Sequence, residues 1–248
     1  FTFVCPIAPD RIPWDSVHSL VILGAENQLC NRNLDASPFH PGVYVNRTGE
    51  WLLLVHPQED GLQETLDRFG PRLKTLYMYC TTLTTLDLSA LRSLEAFGAL
   101  KNSNIIALHG LENLTQLTIL NLFESSRLAQ IHGLEYLTQL TSLNLFGCSR
   151  LRQLPGLEYL THLTFLNLSE CRSLTQIYGL ENLTQLNFLS LSGCSNLEHI
   201  PGLENLTQLT LLNLSRCKKL TVLPDGLGHL HALRCVNLSD MELETLPD

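Results

Sequence analysis

The stretch LTSLNLFGCSRLRQLPGLEYLTH, residues 140–162, holds seven leucines and one cysteine, and close copies precede and follow it. Aligned on the leucine that starts each LxxLxL, the copies begin at Leu73, Leu94, Leu117, Leu140, Leu163, Leu186, Leu209 and Leu233. The five spacings from Leu94 to Leu209 are all 23 residues, with 21 before them and 24 after. With that first leucine as position 1, leucine returns at positions 4 and 6, as in Leu143 and Leu145, and again at positions 12, 18 and 21. Self-similarity at a fixed period of this length is the signature of a solenoid. Side chains alternate along a strand, so positions 4 and 6 point to one side and positions 3, 5 and 7 to the other. One repeat cannot bury its leucines alone. Stacked repeats lay their strands side by side about 4.8 Å apart in a parallel sheet and join the leucines into one core.

The second half of each repeat, as in GLENLTQL at residues 179–186, begins with glycine and spaces its apolar residues three apart. This predicts a short helix or 3₁₀ turn on the side opposite the strand. The repeats resemble the leucine-rich repeat family. IHGLEYLTQLTSLNL resembles the short, internalin-like class, whereas LSLSGCSNLEHIP and LTVLPDGLGHLHALRCVNLSDMELETLP resemble repeats of plant intracellular immune receptors. The resemblance covers residues 73–248. It implies an α/β solenoid, a leucine-rich repeat horseshoe with a parallel β-sheet on the concave face and short helices or 3₁₀ turns on the convex face. That fold hosts many unrelated binding roles, so function has to be argued from its surfaces.

Upstream, Leu52, Leu54, Leu62, Leu66 and Phe69 fall at about the same phases. Residues 49–72 therefore read as a degenerate first repeat of a domain spanning 49–248, followed by seven repeats over 73–232 and a partial last repeat over 233–248. Strand-like residues flank a turn at 46–49, which predicts a hairpin, and VHSLVIL at 17–23 is a further strand candidate. Residues 1–48 read as an N-terminal cap over the open end of the core, because terminal repeats must be atypical to stay soluble. A linker or part of an upstream domain is the alternative. The chain stops inside a repeat, so a fragment of a longer polypeptide is expected.

Composition narrows the function classes. Apolar residues make up 44% of the 248, yet runs such as WLLLV at 51–55 fall far short of the roughly 20 residues a spanning helix needs. No membrane span is expected, and the first residues lack the basic start of a signal peptide. A net charge of -8 disfavours duplex nucleic acid, which selects cationic surfaces.

Cys148, Cys171, Cys194 and Cys217 all fall on position 9, held by Asn102 and Ser125 in earlier repeats. The resemblance implies an inward residue that satisfies backbone groups where the chain leaves the strand, a task a thiol does weakly. Four cysteines 23 apart offer no tetrahedral metal cage. Disulfides between rungs would distort a regular ladder, and unpaired thiols favour a reducing, cytoplasmic compartment. The N-x-S/T sequons at Asn46, Asn113, Asn167, Asn182, Asn205, Asn213 and Asn237 are mostly repeat chemistry, three of them in mid-sheet.

No nucleophile elbow, phosphate loop or metal motif accompanies the nine histidines, so neither catalysis nor a cofactor is expected. The positions the core does not need are more informative. Position 5 is mainly asparagine: Asn121, Asn144, Asn167, Asn213 and Asn237. Positions 3 and 7 carry large apolar residues, and exposed apolar patches commonly mark partner sites. Ile119, Phe123, Phe146, Phe165, Phe188 and Leu211, extended by Tyr77 and Tyr79, form the candidate partner-binding surface; cross-strand packing is the bland alternative. Arg127, Arg150, Arg172, Arg216, Lys218 and Lys219, at positions 8 to 11, form a candidate basic edge. Glu112, Glu135, Glu158, Glu181 and Glu204 form an acidic ladder at the start of the outer turn.

These readings lead to a non-enzymatic protein-recognition module, the ligand-sensing or substrate-selecting part of a larger protein, with an intracellular immune-type sensor first. The alternatives are the targeting domain of a bacterial secreted effector with a separate catalytic domain, such as a ubiquitin ligase, and an internalin-like cell-surface adhesion protein.

Overall fold

The computed structural model describes the backbone of residues 35–36, 43–45 and 51–55, together with Leu66 and residues 70–79, 83–223 and 225–244. Strands β1 (Asp35–Ala36), β2 (Val43–Val45) and β3 (Trp51–Val55) pair antiparallel in that order, with Val45 opposite Leu52. The expected hairpin pairing is therefore present, and it carries the sheet across the 48/49 boundary without a break. The turn at 46–49 and the strand expected at 17–23 lie outside the described residues.

From β3 onward the sheet is parallel and advances one strand per repeat. It continues through β4 (Thr75–Tyr79), β6 (Ala96–Leu100), β8 (Ile119–Asn121), β9 (Ser142–Asn144), β10 (Phe165–Asn167), β11 (Phe188–Ser190), β12 (Leu211–Asn213) and β13 (Cys235–Asn237). Among the described residues this sheet has eleven strands. Equivalent repeat positions stand directly opposite one another: Leu120, Leu143, Leu166, Leu189 and Leu212 form one in-register row. Each member of that row is fully buried, as are the leucines at positions 1 and 6 of the same five repeats. Burying a leucine contributes about 1.5–3 kcal/mol, so the stack draws its stability from this one continuous core. A second pairing, β5 (Thr85–Asp87) with β7 (Ala107–His109), lies outside the strand positions and was not anticipated from the leucine pattern. Farther along it shrinks to a single bridge between Gln176 and His199.

The outer side is built of 3₁₀ turns at Leu111–Asn113, Leu134–Tyr136, Leu157–Tyr159, Leu180–Asn182 and Leu203–Asn205. Each follows a glycine in the left-handed region, with φ between 83° and 88°. Space demands glycine as well as dihedral angle: a Cβ on Gly179 would lie 2.6 Å from the backbone nitrogen of Glu158 in the repeat before. The glutamate ladder sits in the first turn of these elements, where orphan amides favour an anion.

Two polar ladders tie the repeats together. At position 2 the hydroxyls of Thr118, Thr141, Thr164 and Thr210 donate to the carbonyl of the same position one repeat earlier, at 2.8–3.0 Å. At position 9 each cysteine donates its thiol to a carbonyl 26 residues back: Cys148 to Leu122 (3.3 Å), Cys171 to Leu145 (3.2 Å), Cys194 to Leu168 and Cys217 to Leu191 (both 3.0 Å). Ser125 and Asn102 make the same bond in earlier repeats, to Ala99 and Met78. The Leu145 carbonyl also accepts the amide of Cys148, so both of its lone pairs are used. All four cysteines are buried and unpaired. Burial pushes the Cys148 thiol up to about 12 and Cys217 up to about 11, and raises Cys171 and Cys194 well above the ordinary range. The ladder is structural.

Candidate functional site

The sheet face opposite the leucines is read by register. Ile119, Ser142, Phe165, Phe188, Leu211 and Cys235 form one row at position 3, and Asn121, Asn144, Asn167, Ser190, Asn213 and Asn237 form the middle row. Of the candidate partner-contact residues, Tyr79, Ile119, Phe123, Phe146, Phe165, Phe188 and Leu211 are half-buried, as a sheet surface open on one side requires. The phenylalanines are gathered into pairs. Phe123 and Phe146, at position 7, stack with centroids 4.9 Å apart and planes 12° apart. Phe165 and Phe188, at position 3, stack at 4.5 Å and 11°. Neighbouring strands at the sheet spacing put equivalent rings at stacking distance, and such pairs add about 0.5–1.5 kcal/mol beyond their burial. The apolar surface therefore steps diagonally, from position 7 on β8 and β9 to position 3 on β10 and β11.

Tyr77 does not join this surface. Strand phase alone placed it there, but it is only 2% exposed. The residue opposite it on β6 is Gly98, and a Cβ on Gly98 would fall 2.3 Å from the Tyr77 ring. The ring lies in the space that glycine leaves. Burial pushes its phenol up to about 12, and its hydroxyl has no hydrogen-bond partner among the described residues. Thr75, Ala96 and Leu100, on the same two strands, are also buried. The accessible part of the face thus begins at Tyr79, whose ring lies 5.9 Å from the Lys101 ammonium, and at β8.

The asparagines do a local job first. The side-chain oxygens of Asn121, Asn144, Asn167, Asn213 and Asn237 each accept the backbone amide two residues on, at 3.0–3.2 Å. This closes the end of each strand before the chain turns down into position 8. Among the described residues that position is left-handed, whether occupied by Lys101, Glu124, Glu170, Arg216 and Asp240 or by Gly147 and Gly193. Where position 7 becomes serine, the hydroxyls pair across strands: Ser169 with Ser190 at 2.7 Å and Ser192 with Ser215 at 2.8 Å. The strand pattern alone does not announce these pairs, since Ser190 stands at position 5 whereas Ser169, Ser192 and Ser215 stand at position 7.

The basic edge is in good part neutralised. Glu170 binds both Arg172 and Arg216 at 2.9 Å, and Lys219 meets Glu198 at 3.3 Å. Gly193 makes the reach to Arg216 possible, since a Cβ there would sit 2.5 Å from the Glu170 carboxylate. Arg127, Arg150 and Lys218 are exposed and form no ion pair among the described residues. Nor do the described residues bring together three or more His, Cys, Asp or Glu side chains placed to hold a metal ion. No helix among them is long and apolar enough to cross a membrane.

Solved structures of leucine-rich repeat proteins are similar to this chain. The leucine-rich repeat domain of the type III effector XopL is similar with a TM-score of 0.52 and 22% identity, over 75% of this chain and 75% of that one. A leucine-rich repeat protein of Leptospira interrogans matches at a TM-score of 0.42 and 18% identity, over 77% of this chain and 61% of its own. The functional domain of InlJ from Listeria monocytogenes, described as including a cysteine ladder, matches at a TM-score of 0.26 and 18% identity, over 73% of this chain and 61% of its own. No family profile matches the sequence, and no curated protein does. The fold is a leucine-rich repeat solenoid, with the parallel sheet on its concave face and 3₁₀ turns on its convex face.

Proposed function

We propose that this chain is a non-catalytic protein-recognition module that holds its partner on the concave face between β8 and β12, and that it works in a reducing compartment. One observation carries the reading: four half-buried phenylalanines lie in two stacked pairs on the side of the sheet that the leucine core does not use. The interior takes positions 1, 4, 6 and 9 from the strand and the turn off it, and positions 12, 18 and 21 from the return of the chain, so rings at 3 and 7 serve either the sheet surface or something laid upon it. Aromatic residues at the centre of interfaces commonly dominate binding, and truncating one costs about 2 kcal/mol or more, roughly 30-fold in affinity. The self-neutralised edge around Glu170 is the weaker candidate, because its arginines are already engaged. The unpaired thiols support the choice of compartment.

The test is a Phe146→Ser/Phe165→Ser double variant. Affinity capture followed by mass spectrometry should show a protein retained by the wild type and lost by the variant, which should remain folded and lose only the contribution of the two stacks, about 1–3 kcal/mol. A variant that loses stability and keeps its partner would make the rings sheet-packing residues.

A further inference from the structure

Charge is unevenly distributed on the flank where the chain leaves the strands. Residues 103–107, 126–130, 149–153 and 172–176 occupy positions 10 to 14 of four successive repeats, and they hold four arginines and no aspartate or glutamate. The whole chain carries 24 acidic residues against 16 lysines and arginines. Four adjacent rungs that reverse this balance make a local cationic field on an acidic molecule.

The arginines are held close together. The Ser149 hydroxyl donates to the Ser126 carbonyl at 3.3 Å, and the Ser173 amide donates to the Ser149 carbonyl at 3.2 Å, so neighbouring rungs are tied at this position. Backbones so joined lie about 4.8 Å apart, which sets Arg150 beside Arg127. Leu151 is buried between Arg150 and Arg152, and both arginines are exposed, so the two leave the chain on its solvent side. From the Arg127 backbone to that of Arg152 the patch measures about 8 Å.

None of these three guanidiniums has an ion pair or a hydrogen bond among the described residues. On their two rungs, positions 8 to 14 supply a single carboxylate, Glu124. It leans along the position-8 row instead, since a Cβ on Gly147 would sit 3.2 Å from its Cγ. One rung farther on, Arg172 shows what such a side chain takes when a carboxylate is in reach: its Nε and a terminal nitrogen both donate to one oxygen of Glu170, at 3.0 and 2.9 Å.

Guanidinium forks suit carboxylates and phosphates, and the size of the patch selects among anions. A nucleic acid or an anionic membrane extends far beyond these three residues and meets the net charge of -8 carried by the rest of the molecule. At physiological salt a field fades within about 8 Å, so a short segment senses the arginines and little else. Alternate side chains of an extended peptide lie about 6.8 Å apart on one side, so two or three carboxylates cover the patch.

We propose that Arg127, Arg150 and Arg152 form a second contact surface, which takes a short acidic segment of a partner protein through its aspartate or glutamate carboxylates. This contact lies outside the concave face and does not depend on what that face holds.

A six-residue glutamate peptide, titrated into the isotope-labelled protein at low salt, tests the assignment by NMR. The Nε–H signals of Arg127, Arg150 and Arg152 should move. An Arg127→Gln/Arg150→Gln/Arg152→Gln variant alters only exposed side chains, so it should stay folded and bind the peptide at least about tenfold more weakly. A Lys218→Gln/Lys219→Gln/Arg234→Gln variant undergoes the same change in net charge and should bind within about twofold of the wild type. The proposal is overturned if the three signals stay unmoved at millimolar peptide, or if the two triple variants lose affinity equally. It is also overturned if inorganic phosphate or an oligothymidylate of equal charge binds as tightly as the peptide. The Phe146→Ser/Phe165→Ser variant should bind the peptide as the wild type does; loss of the peptide there would put the acidic segment on the concave face and defeat the assignment.

Discussion

Replacing Cys148 with serine should leave stability near neutral pH little changed in its pH dependence and make it markedly less sensitive to alkali. In the fold the Cys148 thiol is completely buried against the Leu122 carbonyl, and burial pushes it up to about 12 from an ordinary value of 9.0. A thiol whose folded value is raised stays protonated in the native state while the unfolded chain loses its proton. Stability is therefore fully present below the unfolded value and is lost as pH rises toward the folded one. The slope is about 1.4 kcal/mol per pH unit for each such thiol, which accumulates to about 2 kcal/mol between roughly pH 8 and pH 10.5. Serine is a fair replacement, because Ser125 makes the same bond to Ala99 one repeat earlier and does not titrate in this range. Urea melts of both proteins at the two pH values, with reductant present, measure the difference of differences. Wild type should lose about 2 kcal/mol more than the variant on going to high pH. Parallel losses would refute the reasoning, as would rapid native labelling of Cys148, Cys171 or Cys194. The exposed Cys235 should label at once and serves as the internal control.

Two further expectations concern the stack itself. Leu166→Ala, with neighbours on both sides in its row, should cost about 2–5 kcal/mol, while Leu243→Ala, only half-buried against the last repeat, should cost less; equal shifts in denaturant melts would contradict a core built repeat by repeat. Gly179→Ala should destabilise by more than about 1 kcal/mol, since a Cβ at φ 86° is strained and would meet the Glu158 amide at 2.6 Å. A neutral result in the same melts would mean that the outer turn relaxes freely.

The solenoid was legible because its two periods are independent and agree. Alternation within LxLxx set the inward side, and the 23-residue spacing set the strand neighbours, so a residue such as Leu166 could be placed in three dimensions from its number. The position-9 ladder followed from the same register. The left-handed residue at position 8 did not. Sequence usually announces that conformation with glycine, but here lysine, glutamate, arginine and aspartate share it with Gly147 and Gly193. The dihedral is imposed by the turn off the strand, so residue type carries only part of the signal.

The surface was read less well, for reasons that lie in how far side chains reach. Tyr77 was assigned outward by its strand phase, and that phase is correct; Gly98 at the same position of the next repeat supplies the room in which the ring is buried. Tyr77 and Gly98 form a large–small pair that neither residue's own repeat reveals. The same mechanism governs the charges. Glu170, Gly193 and Arg216 occupy position 8 of three successive repeats, and a carboxylate crosses the glycine to meet a guanidinium two repeats away. In a parallel stack the environment of a surface side chain is set by its two in-register neighbours. A small residue in one rung decides whether the large residue beside it is exposed, stacked or buried. That rule also sharpens the candidate site. Phe123 beside Phe146 and Phe165 beside Phe188 are stacked because large follows large, and the change to Ser142 and Ser169 at the step between the pairs leaves Phe146 and Phe165 each with one unshielded side. Those two rings, rather than the whole apolar column, are where substitution should be felt by a partner and not by the core.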